Sequence, residues 1–134
     1  MTPIHALLAF TAWTLLLVAL VFLYRGLRFM QGTPINAWPR GNKPADDAPL
    51  VKRIEDAHAN CLENLPLFAV IVLAAADLGK LDLIAPFAAF VFYARVAQSL
   101  AHLSGTGKAA VFVRANFWVA QLGLMGYMLS LLLK

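Results

Sequence analysis

Charge is scarce in this chain, and cysteine is almost missing. Lys and Arg number 11 and Asp and Glu 7, so 13% of the 134 residues are charged, against about a quarter in a soluble domain. Hydrophobic residues reach 61%. That balance excludes an ordinary water-soluble domain and indicates one small integral membrane unit, residues 1–134. A single cysteine, Cys61, excludes an internal disulfide. His5, His58 and His102 lack the spacing of metal ligands, so no metal is expected. There is no aromatic-basic nucleic-acid motif, internal repeat or low-complexity tract. The net charge of +4 therefore points to topology and to lipid or ligand anions, not nucleic acid. Met1 to His5 also lacks the cationic start of a signal peptide, so the apolar run behind it is expected to be a retained first span.

Long apolar runs are what the chain has instead. A membrane helix needs roughly 20 residues at about 1.5 Å each. Ala6 to Tyr24 meets this without a charge, and Arg25 and Arg28 mark its exit. Pro34, Pro39, Pro44 and Pro49 then exclude a continuous helix through the connection. The expected helices run about 4–30, 48–77, 83–104 and 109–133, with a long loop at about 31–47. Asp46 or Asp47 is expected to cap the second helix, with Pro49 in its first turn. Pro66 is expected to bend it.

The second span carries the most informative residue. Leu65 to Ala76 is uncharged but too short to cross. The helix spans only if it takes in Ala57 to Asn64, which places Glu63 within the bilayer. Intramembrane carboxylates are costly and mark functional sites by default. The competing reading is a structural ion pair with Arg53, Arg95 or Arg114.

Topology gathers the polar residues at one depth. Arg25, Arg28, Arg40, Lys43, Lys52, Arg53, Arg95, Lys108 and Arg114 lie in or near the first and third loops, and only Lys80 and Lys134 lie at the other side. The positive-inside rule then puts the loop at 31–47 in the cytoplasm and both termini outside. Arg53, Asp56, Asn60 and Glu63 fall on one helical face, as do Arg95, Gln98 or Ser99, and His102, and again Arg114, Trp118 and Gln121. Several such faces at one depth indicate a shared polar cavity, within one subunit or between subunits. Its cations, with one carboxylate, suit a peptide-like ligand bearing two carboxylates and an amine. Arg95 reads as a structural cation, and Arg25 and Arg28 either reach this cavity or snorkel to headgroups. His58 and Cys61 lie off the stripe, and Tyr24, Trp38, Tyr93 and Tyr127 read as interfacial anchors.

The segment from Arg53 to Phe68 resembles the signature of the MAPEG family, membrane-associated proteins in eicosanoid and glutathione metabolism. The pattern lies in Arg53, Ala57, His58, Asn60, Glu63 and Asn64. Arg95 to His102 resembles the family's helix-three segment, and Arg114 its helix-four arginine. The resemblance implies an all-α membrane protein, a four-transmembrane-helix bundle assembled as a homotrimer, of bacterial type and in the inner membrane with periplasmic termini. It implies a glutathione-dependent enzyme that conjugates glutathione to, or reduces, lipophilic electrophiles or hydroperoxides. Carried over by position, Asn60, Glu63, Gln98, His102, Arg25 and Arg28 would bind glutathione, and Arg114 would stabilise its thiolate, the nucleophilic form. The partners implied are glutathione, a lipophilic substrate and membrane lipid.

This sequence departs from the pattern in places. Asp56 and Ala59 stand where a prostaglandin synthase of the family has arginines. His102 replaces a tyrosine, Ala115 a serine proposed to assist the thiol, and Trp118 a tyrosine. These changes weigh toward the alternative of a non-catalytic lipid-binding or structural member.

Overall fold

A computed structural model of the protein describes residues 1–39 and 43–134. Arg40, counted above among the cations of the first loop, lies outside the described residues. The chain forms α1 (Pro3–Met30), α2 (Pro49–Asp77), α3 (Leu81–Ser104) and α4 (Lys108–Leu132). All four are long and apolar enough to cross a membrane, and the described residues include no strand. Closed helices suit lipid because each satisfies its backbone polar groups internally.

Local chemistry sets the helix ends. Thr2 caps α1, its side chain accepting from the His5 amide at 3.2 Å, and Pro3 occupies the first turn, where no amide donor is needed. α2 ends in a Schellman turn. The Lys80 amide donates to the Ala75 carbonyl at 2.8 Å and the Gly79 amide to Ala76 at 3.1 Å. Gly79 takes the left-handed conformation this requires, at φ 66°.

The start of α2 departs from the expectation. Its N-cap is Ala48, with no side-chain cap, although Pro49 does sit in the first turn. Asp46 and Asp47 are engaged elsewhere. Asp46 accepts from Arg28 Nη2 at 2.5 Å, and the buried Asp47 accepts from Trp38 Nε1 at 3.1 Å. A charge-assisted bond to a guanidinium outweighs a neutral amide as a partner. The Ala48 amide finds its acceptor in the Tyr24 hydroxyl, at 3.0 Å. The loop is thereby strapped to the end of α1.

The core is a seam of apolar side chains at helical spacing. Phe10, Leu17 and Val21 of α1 meet Ala57, Cys61, Phe68 and Val72 of α2 and Ile84, Ala88 and Val91 of α3. Phe10 and Phe68 pack at 5.9 Å between ring centroids. Lipid tails are as apolar as these residues, so association rests on close packing and buried polar links. Two such links are Trp13 Nε1 to Ser99 Oγ at 3.0 Å and Gln121 Nε2 to Gln98 Oε1 at 2.7 Å.

α4 is the outlying helix. It leans mainly on α3, and among the described residues it makes no contact with α1. Its buried residues are Gln121, Met125, Met128 and Leu132, all in its second half. The first half, from Lys108 to Ala120, contributes no buried residue, and this opens a wedge between α4 and α2.

Candidate functional site

That wedge holds a polar hollow. Its inner part, of about 340 Å³, is lined by Asn60 and Glu63 of α2, Gln98 of α3, and Val111, Arg114, Ala115 and Trp118 of α4. Its mouth, of about 360 Å³, shares Asn60, Glu63 and Arg114 and adds Asp56, Ala59, His102 and Thr106. Helical periodicity explains the convergence. Asp56, Asn60 and Glu63 recur at four and three residues along α2, and Val111, Arg114, Ala115 and Trp118 form the facing stripe of α4.

Neighbouring bonds fix several of these side chains. Asn60 Nδ2 donates to His102 Nδ1 at 3.3 Å, joining α2 to the end of α3. Gln121, fully buried, holds the Gln98 carbonyl oxygen. Glu63 is exposed and Arg114 partly so. Neither makes an ion pair among the described residues. A carboxylate and a guanidinium thus face one space with their charges unspent on each other. Asp56, at the mouth, pairs with Lys43 of the loop.

The other cations expected at the site lie elsewhere in the single chain. Arg25 pairs with Glu55 and lies 5.8 Å over the Trp38 ring. It lines a separate, apolar hollow of about 360 Å³ with Phe22, Gly26, Phe29, Ile35 and Trp38. Arg28 is held by Asp46, Asp47 and the Tyr24 hydroxyl. Both arginines are on α1, which does not touch α4. Arg53 leaves the polar stripe to donate through Nε to the Leu103 carbonyl at 2.9 Å, near the end of α3.

Arg95 is fully buried, with its guanidinium 5.5 Å over the Phe10 ring. None of its three nitrogens has a hydrogen-bond partner among the described residues. A cation–π contact offsets only part of such a burial. Cys61 is fully buried beside Ser99, at 3.8 Å, and does not line the hollow.

Two lining residues were not singled out in the sequence. Val111 is one turn before Ala115 on the α4 stripe and was readable by periodicity. Thr106 belongs to the short connection between α3 and α4, whose shortness alone places it at the mouth.

The hollow offers a carboxylate for an ammonium, amides for peptide groups, and a guanidinium for an anion or thiolate. Its α4 wall carries exposed Val111 and Trp118, so an apolar molecule can approach from the lipid. The model of the MAPEG family matches residues 4–134, essentially the whole chain. No curated protein and no solved structure matches it.

Proposed function

This chain belongs to the MAPEG family, whose members include glutathione transferases and peroxidases, and we propose that it is a glutathione-dependent membrane enzyme acting on lipophilic electrophiles or hydroperoxides. The observation that carries this reading is the shared hollow of Asn60, Glu63, Gln98, His102 and Arg114. Glutathione has two carboxylates, an ammonium and a thiol. Glu63 accepts from the ammonium, and Asn60, Gln98 and His102 bond the peptide. Arg114 stabilises the thiolate over the thiol.

The chemistry then follows. In conjugation the thiolate sulfur attacks an electrophilic carbon, an S–C bond forms, and the leaving group departs with the displaced electron pair. In reduction the thiolate attacks the outer oxygen of a hydroperoxide. The O–O bond breaks, the alkoxide takes a proton, and a second glutathione converts the sulfenic acid to disulfide and water. Holding thiolate and apolar substrate in one hollow supplies proximity.

In this reading the single-chain hollow is open on one side because a second copy closes it in a homotrimer. This reading places the hollow on the cytoplasmic side of a bacterial inner membrane; the cation asymmetry supports the cytoplasmic side.

A second reading has its own support. Ala115 and Trp118 flank Arg114 and offer no hydroxyl to assist a thiolate, which favours a non-catalytic lipid-binding member. Thermal unfolding of the purified protein with and without millimolar glutathione tests ligand binding, because a specific ligand raises the melting temperature by mass action. Conjugation of a generic aryl halide then separates enzyme from carrier. An unchanged melting temperature overturns the glutathione reading.

A further inference from the structure

The apolar hollow at the end of α1 has no part in the reading above. Phe22, Arg25, Gly26 and Phe29 line it from one face of the helix, and Ile35 and Trp38 line it from the loop. Bonds within the chain hold that loop wall in place. The Ala37 amide closes a turn on the Pro34 carbonyl at 3.0 Å. Trp38 is fixed by both Asp47 oxygens and by the Arg25 guanidinium over its ring.

Gly26 keeps this space open. Glycine inside a helix is destabilising relative to alanine, so its presence calls for a reason. Conformation supplies none, because the positive-φ glycines are Gly32, Gly79 and Gly105. Packing within the chain supplies none either, since a Cβ at Gly26 would meet nothing within 4 Å. What the missing side chain does is enlarge the hollow.

The lining has two chemical characters. Phe22, Phe29 and Ile35 are exposed apolar side chains suited to hydrocarbon. Arg25 gives Nη2 to Glu55, makes no other hydrogen bond among the described residues, and has 39% of its side chain exposed. A guanidinium carries five donors, so several remain for an acceptor. The lining itself holds no carboxylate, amide or hydroxyl side chain to fill that role. Arg25 lies where α1 leaves the apolar layer, the depth at which lipid phosphates lie. The backbone of a helix from a second copy would bring no free acceptor there, because its carbonyls are taken up internally.

We infer that this hollow is a binding site for one glycerophospholipid, with an acyl chain against Phe22, Phe29 and Ile35 and the phosphate on the Arg25 guanidinium. The site is separate from the polar hollow between α2 and α4 and does not depend on glutathione.

Native mass spectrometry of the full chain, released from detergent micelles doped with phosphatidylethanolamine, tests the site. The parent is expected to keep one phospholipid per chain after detergent has stripped the rest. Gly26→Leu fills the hollow with a good helix former and is expected to lower retention about tenfold or more while the lipid-free melting temperature does not fall. Arg25→Gln is expected to lower phosphatidylethanolamine retention about tenfold. It should leave diacylglycerol, which has the chains but no phosphate, unchanged. Millimolar inorganic phosphate is expected not to displace the lipid. No retained phospholipid on the parent, or parental retention in Gly26→Leu, overturns the inference. So does an equal Arg25→Gln effect on both lipids, or displacement by free phosphate. Loss of assembly mass in Gly26→Leu with lipid retained would assign the hollow to a contact between copies and overturn it as well.

Discussion

Gln121 Nε2 donates to Gln98 Oε1 at 2.7 Å, and the two buried amides join α4 to α3. The bond acts on the site indirectly. Gln98 lines the hollow beside Glu63 and Arg114, whereas Gln121 does not. Gln121→Leu removes the donor and leaves the Gln98 carbonyl buried without it. Interhelical hydrogen bonds in membranes contribute about 0.6 kcal/mol on average and at most about 1.7. The expected loss of stability is therefore about 1 kcal/mol, measured by unfolding in mixed micelles. A double-mutant cycle with Gln98→Leu should show coupling of about 0.5–1.5 kcal/mol, and strict additivity would deny the link. Glutathione affinity should also fall in Gln121→Leu.

Glu63 separates a ligand-binding role from a structural one. Its carboxylate is exposed and has no ion-pair partner among the described residues. Glu63→Gln should thus leave the melting temperature of the ligand-free protein within about 2 °C of the parent. Loss of the charge that meets the ligand ammonium should weaken glutathione binding by about tenfold or more. Asn60→Ala should weaken binding and also cost some stability, since Asn60 bonds His102 across α2 and α3. Reversed behaviour, with Glu63→Gln unfolding early and binding normally, would make Glu63 a packing residue.

What the sequence made legible is depth along a helix and position around it. Four long apolar runs became four helices because length and hydropathy are one-dimensional properties. Asp56, Asn60 and Glu63 share a face because 3.6 residues make a turn. The arrangement of helices about the bundle leaves no such trace. Arg25 and Arg28 sit at the end of α1, yet α1 lies away from α4, so neither lines the hollow of the single chain. Competition among partners was equally hidden. Asp46 and Asp47 have good capping chemistry, but the fold brings Arg28 and Trp38 to them first.

The strap at the end of α1 should respond to that competition. The Asp47 side chain is fully buried and accepts from Trp38 Nε1 through both oxygens, at 3.1 and 3.3 Å. Asp47→Ala leaves the indole without its acceptor and removes a charge from Arg28, at an expected cost of about 1–3 kcal/mol. Limited digestion at the Ala45–Asp46 bond by an endoprotease that cleaves before aspartate should accelerate several-fold, and unchanged cleavage would mean that Asp47 does not hold the loop. The Asp46 link sets the pH response. A hydrogen bond from Arg28 holds the Asp46 carboxyl below its ordinary range. A depressed carboxylate stabilises the fold above its ordinary pKa, and that stabilisation is lost as the pH falls through the lowered value. In the parent protein the cleavage rate, measured with an acid-active protease, should therefore rise only below the ordinary carboxylate range.

Arg114 carries the chemical claim. It lines both parts of the hollow and forms no ion pair among the described residues, so its charge is available to a ligand sulfur. A thiol with an ordinary pKa of about 8.5 is only a few per cent thiolate at neutral pH. A cation that lowers this by about 1.5 units brings the thiolate to about half. Arg114→Ala should accordingly lower turnover at saturating glutathione by about tenfold or more near pH 7, and binding by less. An interaction made chiefly with the reacting form lowers kcat rather than raising KM. The missing thiolate can be restored by base, so the deficit should shrink as the pH rises toward the ordinary thiol range. Arg114→Lys keeps a point charge without the planar donor fork and should fall between the two. An Arg114→Ala enzyme with parental turnover, or a deficit that stays constant at every pH, would remove Arg114 from thiolate stabilisation.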